Sequence, residues 1–343
     1  MKRRPGEDRI ALKHGAGGRA MRALIEEVFV KPLAINDGGV GLAAMDDGAA
    51  VPFADGFLVL TTDSHVVQPA FFPGGDIGRL AVSGTVNDLA MMGATEPLAL
   101  TLAILLEEGF ERQALERLRD SIAAACNEAG VSIVTGDTKV LGRSELDGIA
   151  LNTTGVALAR RVVRDSGLTV GDRLVVTGTV GDHGMAVMSV RHELDLEGDL
   201  RSDVAPLNSL VRAALDAGGD GITALKDPTR GGLASALHEM AAKSGVGVML
   251  EERAVPVRPE VRAAGEMLGI DPLHVANEGK AVLGVRPAAL ETVLAALRGH
   301  PLGREAAVIG TCVAERSGSV VLDTGFGRRL LTEIEGEPLP RIC

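Results

Sequence analysis

Two apolar runs too short for helices run into aspartate. Residues 57–62 (FLVLTT) lead into Asp63, and residues 131–135 (VSIVT) lead into Gly136-Asp137. Runs of five or six strand-favouring residues bounded by Gly and Asp read as strands. Longer patterns of helical spacing at 20–29, 77–92 and 111–129 alternate with these runs and with apolar stretches at 98–105 and 149–159. Charges and glycines cluster at 160–172, and the alternation then resumes. Strand-like runs follow at 172–177, 247–250, 281–285, 307–313 and 319–322, with helical patterns at 206–217, 232–243, 257–268 and 288–297. Such a chain is confined to the α/β or α+β class. The expected division is 1–160, 161–330 and a tail of 331–343.

At 343 residues the length suits two domains with a core each. The cores must be built of Ala, Val, Leu and Met, because there is no Trp or Tyr and only seven Phe. That scarcity removes the stacking platforms of single-strand nucleic-acid binders. A net charge of −11 disfavours nucleic acid and anionic membranes as main partners. Three cysteines, Cys126, Cys312 and Cys343, make no disulfide framework and no metal-finger spacing. Cys126 in a helical pattern and Cys312 in a strand-like run read as buried small hydrophobes. No apolar signal core follows the basic start and no run reaches membrane-spanning length, so a cytoplasmic protein is expected.

Cys343 is the last residue of Pro338-Leu339-Pro340-Arg341-Ile342-Cys343. Prolines forbid helix and favour an extended, semi-rigid tail. At about 3.1 Å per residue such a stalk spans roughly 20–25 Å, enough to carry a thiol to a distant site. Chance placement on a disordered end is the alternative.

Asp47, Asp63, Asp88 and Asp137 recur at strand ends, in turns and, for Asp88, within an apolar helix beside Asn87. Converging carboxylates would require cations, and hard oxygen donors select Mg²⁺ bridging phosphates. Each aspartate taken alone could equally cap a turn or helix. There is no Walker P-loop, and Gly178, Gly181 and Gly184 do not make a clean dinucleotide fingerprint. Arg230 between Thr229 and two glycines can grip a phosphate or simply precede a helix. Lys139, Glu278 and Lys280 are acid–base candidates, with solvated loop charge as the alternative. His65 and His183 read as ordinary hydrogen-bonding residues.

TTDSHVVQPAFFPGGDIG, LAVSGTVNDLAMMGA, GDTKV, VTGTVGDHGMAV, DPTRGGLA, NEGK and the final PRIC together resemble the HypE family of hydrogenase maturation proteins. The resemblance runs from about Lys13 to Cys343. Its Asp motifs are shared with aminoimidazole ribonucleotide synthetase, thiamine monophosphate kinase and selenophosphate synthetase. It implies a two-domain PurM-like α/β (α+β) fold. The N-terminal domain would pair into a β-barrel across a homodimer, and the C-terminal domain would be an α+β layer. ATP would bind through Asp47, Thr62, Asp63, Asn87, Asp88, Gly136, Asp137, Asp227 and Arg230, with Mg²⁺ on Asp47, Asp63, Asp88 and Asp137. The implied activity is a carbamoyl dehydratase (a lyase). HypF would carbamoylate Cys343, ATP-dependent dehydration would give a thiocyanate, and the cyano group would pass to iron on a HypC–HypD complex. Glu278 would act as base, with Lys139 polarising or relaying. A kinase of the thiamine-phosphate type and a non-catalytic nucleotide-binding adaptor are the competing readings.

Overall fold

The computed structural model describes residues 9–15, 18–33, 38–194, 198–333 and 341–343. Near the start, α1 (Arg19–Ile25) continues through π-helical Glu26–Val30 into α2 (Lys31–Leu33). A hairpin of β1 (Ala49–Phe53) and β2 (Gly56–His65) follows, then the two-residue pair β3 (Phe71–Phe72) and β4 (Gly75–Asp76). Next come α3 (Ile77–Met91), β5 (Pro97–Glu107), α4 (Arg112–Ala129), β6 (Ile133–Leu141) and β7 (Ile149–Ala159). The five long strands form one sheet in the order β1-β2-β7-β5-β6. Only the β5–β6 pair in it is parallel.

Thirteen of the fifteen residues of α3 are buried, which explains why no polar face is legible in it. One side lies on the sheet and another meets the second half of the chain, where Arg79 Nε donates to Val204 O at 2.9 Å. Asp76 caps its start by accepting from the Arg79 N–H at 2.9 Å. In contrast, α4 buries a single stripe of Leu118, Ile122, Ala125, Cys126 and Ala129.

The second half supplies β8 (Arg173–Val176), α5 (Asp182–Arg191), α6 (Asn208–Gly218), β9 (Ile222–Lys226), α7 (Gly232–Ser244) and β10 (Gly247–Glu251). It continues with α8 (Pro259–Leu268), β11 (Val282–Val285), α9 (Leu290–Gly299), β12 (Ala307–Val313), β13 (Val320–Asp323) and β14 (Arg328–Leu330). These strands make a seven-stranded sheet, β14-β13-β10-β12-β8-β11-β9, antiparallel except for β10–β13. Cys126 and Cys312 are buried as expected.

Five strands, β1, the two-residue β3 and β4, β9 and β14, escape the sequence pattern. Two others correct it. β2 does not stop at Asp63 but runs on to His65, and β6 does not stop at Thr135 but runs through Gly136-Asp137-Thr138-Lys139 to Leu141. The β6 extension pairs with β5, Ala103 opposite Asp137 and Leu105 opposite Lys139. Gly136 is needed there, since a Cβ would lie 2.2 Å from the Leu102 carbonyl oxygen. The stalk at 334–340 lies outside the described residues.

Candidate active site

The site grows from the contact between β2 and α3. Asp63 pairs with Thr153 on β7, and Thr153 Oγ1 donates to Ala81 O of α3 at 3.0 Å, so this face of the sheet looks at the helix. With period-two alternation, Thr61, Asp63 and His65 all point that way. Gly84 permits the close approach. A Cβ there would sit 2.9 Å from His65 Cε1 and 3.2 Å from Asp63 Oδ2. One turn on, Asp88 Oδ2 accepts from Thr61 Oγ1 at 2.8 Å, and Thr61 Oγ1 also lies 3.1 Å from Asp47 O.

The opposite wall comes from the second half. β9 ends on Lys226, whose Nζ donates to Asp47 Oδ1 at 2.5 Å and lies 3.4 Å from Glu239 Oε2 and 3.9 Å from Asp165 Oδ2. Asp227, Thr229 and Arg230 follow, and Gly231 and Gly232 turn the chain into α7 with φ of +79° and +65°. A side chain at Gly232 would also strike Val275 O at 2.6 Å. Asn87 ties the walls together: its Nδ2 donates to Ala205 O at 3.2 Å and Glu278 O at 3.3 Å, and its Oδ1 accepts from Leu207 N at 2.7 Å. α1 borders the opening, with Arg22 Nη1 2.7 Å from Glu239 Oε1. The cavity has a volume of about 450 Å³.

Carboxylates crowd this cavity with too few cations. Burial, then Asp165 and Asp47, push the Asp46 carboxyl up to about 7. Burial and the neighbouring Asp47 push Asp227 up to about 8. Asp88 is raised well above the ordinary range by burial, then by Asp227, Asp63 and Asp47, and Glu278 by burial, then Asp227, Asp63 and Asp203. Burial alone would pull the Lys226 ammonium down, but Asp47, Glu239, Asp165 and Asp227 outweigh it and the net shift is upward. Among the described residues, Asp46 Oδ2, Asp47 Oδ2 and Glu278 Oε1 are buried without a hydrogen-bond partner, as are both ring nitrogens of His65.

The end of the chain enters the same place. Cys343 lines the cavity with Asp63, His65, Asp88, Asp227, Arg230 and Glu278. An oxygen of its terminal carboxylate accepts from Val66 N at 3.3 Å, and Arg341 O accepts from Gln68 N at 3.2 Å. Ile342 is only 2% exposed and belongs to the apolar cluster that contains Val67, Phe72 and Met188.

Residues 45–159 match the family described as AIR synthase related protein, N-terminal domain, and residues 169–323 the corresponding C-terminal domain. The chain is 49% identical over 338 residues to carbamoyl dehydratase HypE of Rhizobium leguminosarum bv. viciae, covering 98% of this chain and 95% of that protein. The chain belongs to the HypE family. A crystal structure of a HypE–HypF complex resembles it with a TM-score of 0.84 at 43% identity, covering 91% of this chain and all of that one. A crystal structure of HypE in complex with ATP does so with a TM-score of 0.81 at 42% identity, covering 98% of this chain and all of that one. These likenesses establish the PurM-like two-domain fold expected of a HypE-family member.

Of the residues singled out in the sequence, Asp47, Thr62, Asp63, Asp88, Asp227, Arg230, Glu278 and Cys343 line one cavity. Asn87 is not at its surface; all of its hydrogen bonds named above go to backbone, so it braces the site. Gly136, Asp137 and Lys139 are not among the lining residues. Ala103 lies opposite both Asp137 and Asn152, the neighbour of Thr153, so Asp137 stands on the face of the sheet away from Asp63. Three strand spacings also separate β6 from β2, about 14 Å. Asp137 instead pairs with Lys139 at 2.8 Å, both side chains well exposed at 65% and 69%. Sequence reasoning passed over Asp46, Lys226 and Glu239. Lys226 immediately precedes Asp227, but the strand that aims it was not legible. No three His, Cys, Asp or Glu side chains stand close enough to hold a metal ion alone among the described residues. The orphaned carboxylate oxygens suit a hard cation that takes its remaining ligands from phosphate and water.

Proposed function

We propose that this chain is an ATP-dependent carbamoyl dehydratase acting on its own Cys343. It converts an S-carboxamide on that thiol to a thiocyanate, the source of a cyanide ligand for iron in nickel–iron hydrogenase maturation. One observation carries the reading: the terminal cysteine lines the acidic cavity together with Asp63, Asp88, Asp227, Arg230 and Glu278. A small-molecule kinase has no use for its own thiol there, and an adaptor has none for carboxylates crowded together in a buried cleft.

The carboxamide oxygen attacks the γ-phosphorus of ATP, and the bond to the ADP oxygen breaks. The resulting O-phosphorylated imidate then loses phosphate with cleavage of the C–O bond, as the carbon–nitrogen triple bond forms. Nitrogen gives up two protons: one is retained on the released phosphate and the other goes to solvent. Phosphorylation matters because amide oxygen is otherwise a poor leaving group. Arg230 and the start of α7 at Gly232 face the cavity with positive charge and a helix N-terminus, the donors a transferring phosphate needs. Glu278, held by Asn87 at its carbonyl and by Asp203 Oδ1 at its N–H (3.0 Å), is the group we assign to take an N–H proton through its unpartnered Oε1. Its raised proton affinity makes it a stronger acceptor once ionised. Magnesium would be held by Asp47, Asp63 and Asp88 and would offset charge on the phosphates.

The helix-free face of the five-stranded sheet exposes Val51, Phe53 and Leu158. An uncovered apolar sheet face with an exposed edge strand suits pairing with a second copy. We assign that face to the barrel of a homodimer, and Asp137 and Lys139 to the cleft of the second copy. HypF is the carbamoyl donor and a HypC–HypD complex the acceptor. No helix among the described residues is long and apolar enough to cross a membrane, and a working thiol suits the reducing cytoplasm.

The test is the intact mass of the protein after incubation with HypF, carbamoyl phosphate and ATP. A gain of about 43 Da on the C-terminal peptide, falling to about 25 Da once this chain turns over ATP, marks carboxamide and then thiocyanate on the thiol. A C-terminal peptide that carries neither adduct overturns the reading.

A further inference from the structure

Two side chains of α5 hold the tail by its main chain. His183 is fully buried, and its Nε2 lies 2.7 Å from Ile342 O. A carbonyl oxygen can only accept, so Nε2 carries the proton. Its Nδ1, 2.8 Å from Ser202 Oγ, then accepts from that hydroxyl, which in turn accepts from Val204 N at 3.1 Å. This chain of bonds fixes one neutral tautomer, and burial, which disfavours the charged ring, acts in the same direction. The edge-on packing of Phe72, with ring centroids 5.2 Å apart, holds the ring in place. At the other end of α5, Arg191 donates through Nη2 to Arg341 O and through Nε to Gln68 O. The Arg341 side chain itself reaches Asp147.

We infer that His183, backed by Ser202, and Arg191 form a latch that grips the main chain of the last three residues and positions the Cys343 sulfur for dehydration. Neither His183 nor Arg191 lines the acidic cavity, so both are positioning residues. The grips fall on the carbonyls of Arg341 and Ile342, and the 342 side chain fills an apolar slot. These grips are made to main-chain oxygens. The latch therefore holds free, carbamoylated and cyanated tails alike, and the tail must leave it whenever the thiol is presented to another protein. Loosening it has opposite effects on the two half-reactions: presentation is favoured and dehydration is slowed. This deepens the dehydratase reading and rests on it for the second half of the test.

The experiment compares wild type with His183→Phe, His183→Gln and Arg191→Ala. The first readout needs neither ATP nor a partner: the rate of Cys343 alkylation by iodoacetamide, followed by mass, with buried Cys126 and Cys312 as slow internal controls. His183→Phe and Arg191→Ala are expected to speed alkylation roughly five- to tenfold, the effect of one lost main-chain hydrogen bond on a docking equilibrium, while His183→Gln, which keeps an N–H donor, stays near wild type. The second readout is single-turnover dehydration of pre-carbamoylated protein, expected to slow in the same two variants while carbamoyl transfer does not. Unchanged alkylation in folded Arg191→Ala protein overturns the latch, and half-exposed Arg191 keeps the test available if His183→Phe fails to fold. Faster alkylation with no thiocyanate from wild type keeps the latch and overturns the dehydratase reading instead.

Discussion

Asp227 and Asp137 belong to similar short motifs, yet they inhabit opposite environments. Asp227 stands at the end of β9 between two walls, buried, with Asp47 beside it and its carboxyl raised to about 8. Asp137 stands in mid-strand on the sheet edge, and hydrogen bonds from the Lys139 side chain and the Thr138 N–H lower its pKa. The difference lies in which strand and which face carry the acid: Asp227 follows β9 into the cleft, whereas Asp137 lies on the edge strand β6 and on the face away from Asp63. Carboxylates forced together at a cost in desolvation mark a site that is completed by a ligand.

The sharpest way to break the contrast is to alter the cleft, where the largest effects are expected. Cys343→Ala should form no thiocyanate at all while binding nucleotide normally. Asp88→Asn should lower ATP-dependent turnover by about 10²–10³-fold, because it removes charge where phosphates and cation are held. Glu278→Gln should slow dehydration by roughly 10²–10³-fold, the usual scale for a lost general base, with nucleotide affinity retained. Single-turnover mass measurements and nucleotide titration separate these effects. Normal turnover in Glu278→Gln would remove that residue from the mechanism.

What the sequence made legible follows the range of the forces involved. α3 was readable at 77–92 against Ile77–Met91 because Asp76 caps its start and Gly93 follows its end, both local features. The cleft carboxylates were readable because an aspartate beside apolar runs is costly unless used. β9 was not, since ITALK offers only five residues and ends in a lysine whose partners, Asp47 and Glu239, come from elsewhere. The fate of Asp137 depends on register and face parity in a sheet, which is tertiary information. The docked tail was hidden too: Ile342 reads as one more apolar residue until Val67, Phe72 and Met188 surround it.

Proton affinity gives a smaller, graded version of the same contrast. Asp46 at about 7 and Asp227 at about 8 both lie above their ordinary 3.8, so the folded chain binds these protons more tightly than the unfolded one. That stabilisation is complete below the ordinary value and is lost as pH rises through about 7 and about 8. In chelator, the melting temperature should therefore fall between neutral and mildly alkaline pH, and Asp227→Asn should flatten the upper part of the fall. Mg²⁺ with nucleotide should oppose it. Asp137 has the opposite sign, stabilising above its ordinary value, but on an exposed pair the effect is screened away. A melting temperature independent of pH across this range would mean that the cleft acids are not desolvated as described.

The smallest effect belongs to the edge pair and tests the assignment across the dimer. Asp137→Asn and Lys139→Ala should each leave the melting temperature within about 2 °C of wild type, since exposed ion pairs contribute little. If Lys139 serves the second copy, Lys139→Ala should still lower turnover although its own cleft is intact. Mixing it with Glu278→Gln protein then decides the matter. In a mixed dimer one cleft combines the intact Glu278 of one copy with the intact Lys139 of the other, so part of the activity should return. No recovery on mixing, with subunit exchange verified, would leave Lys139 a solvated surface charge and confine the chemistry to the single-chain cavity.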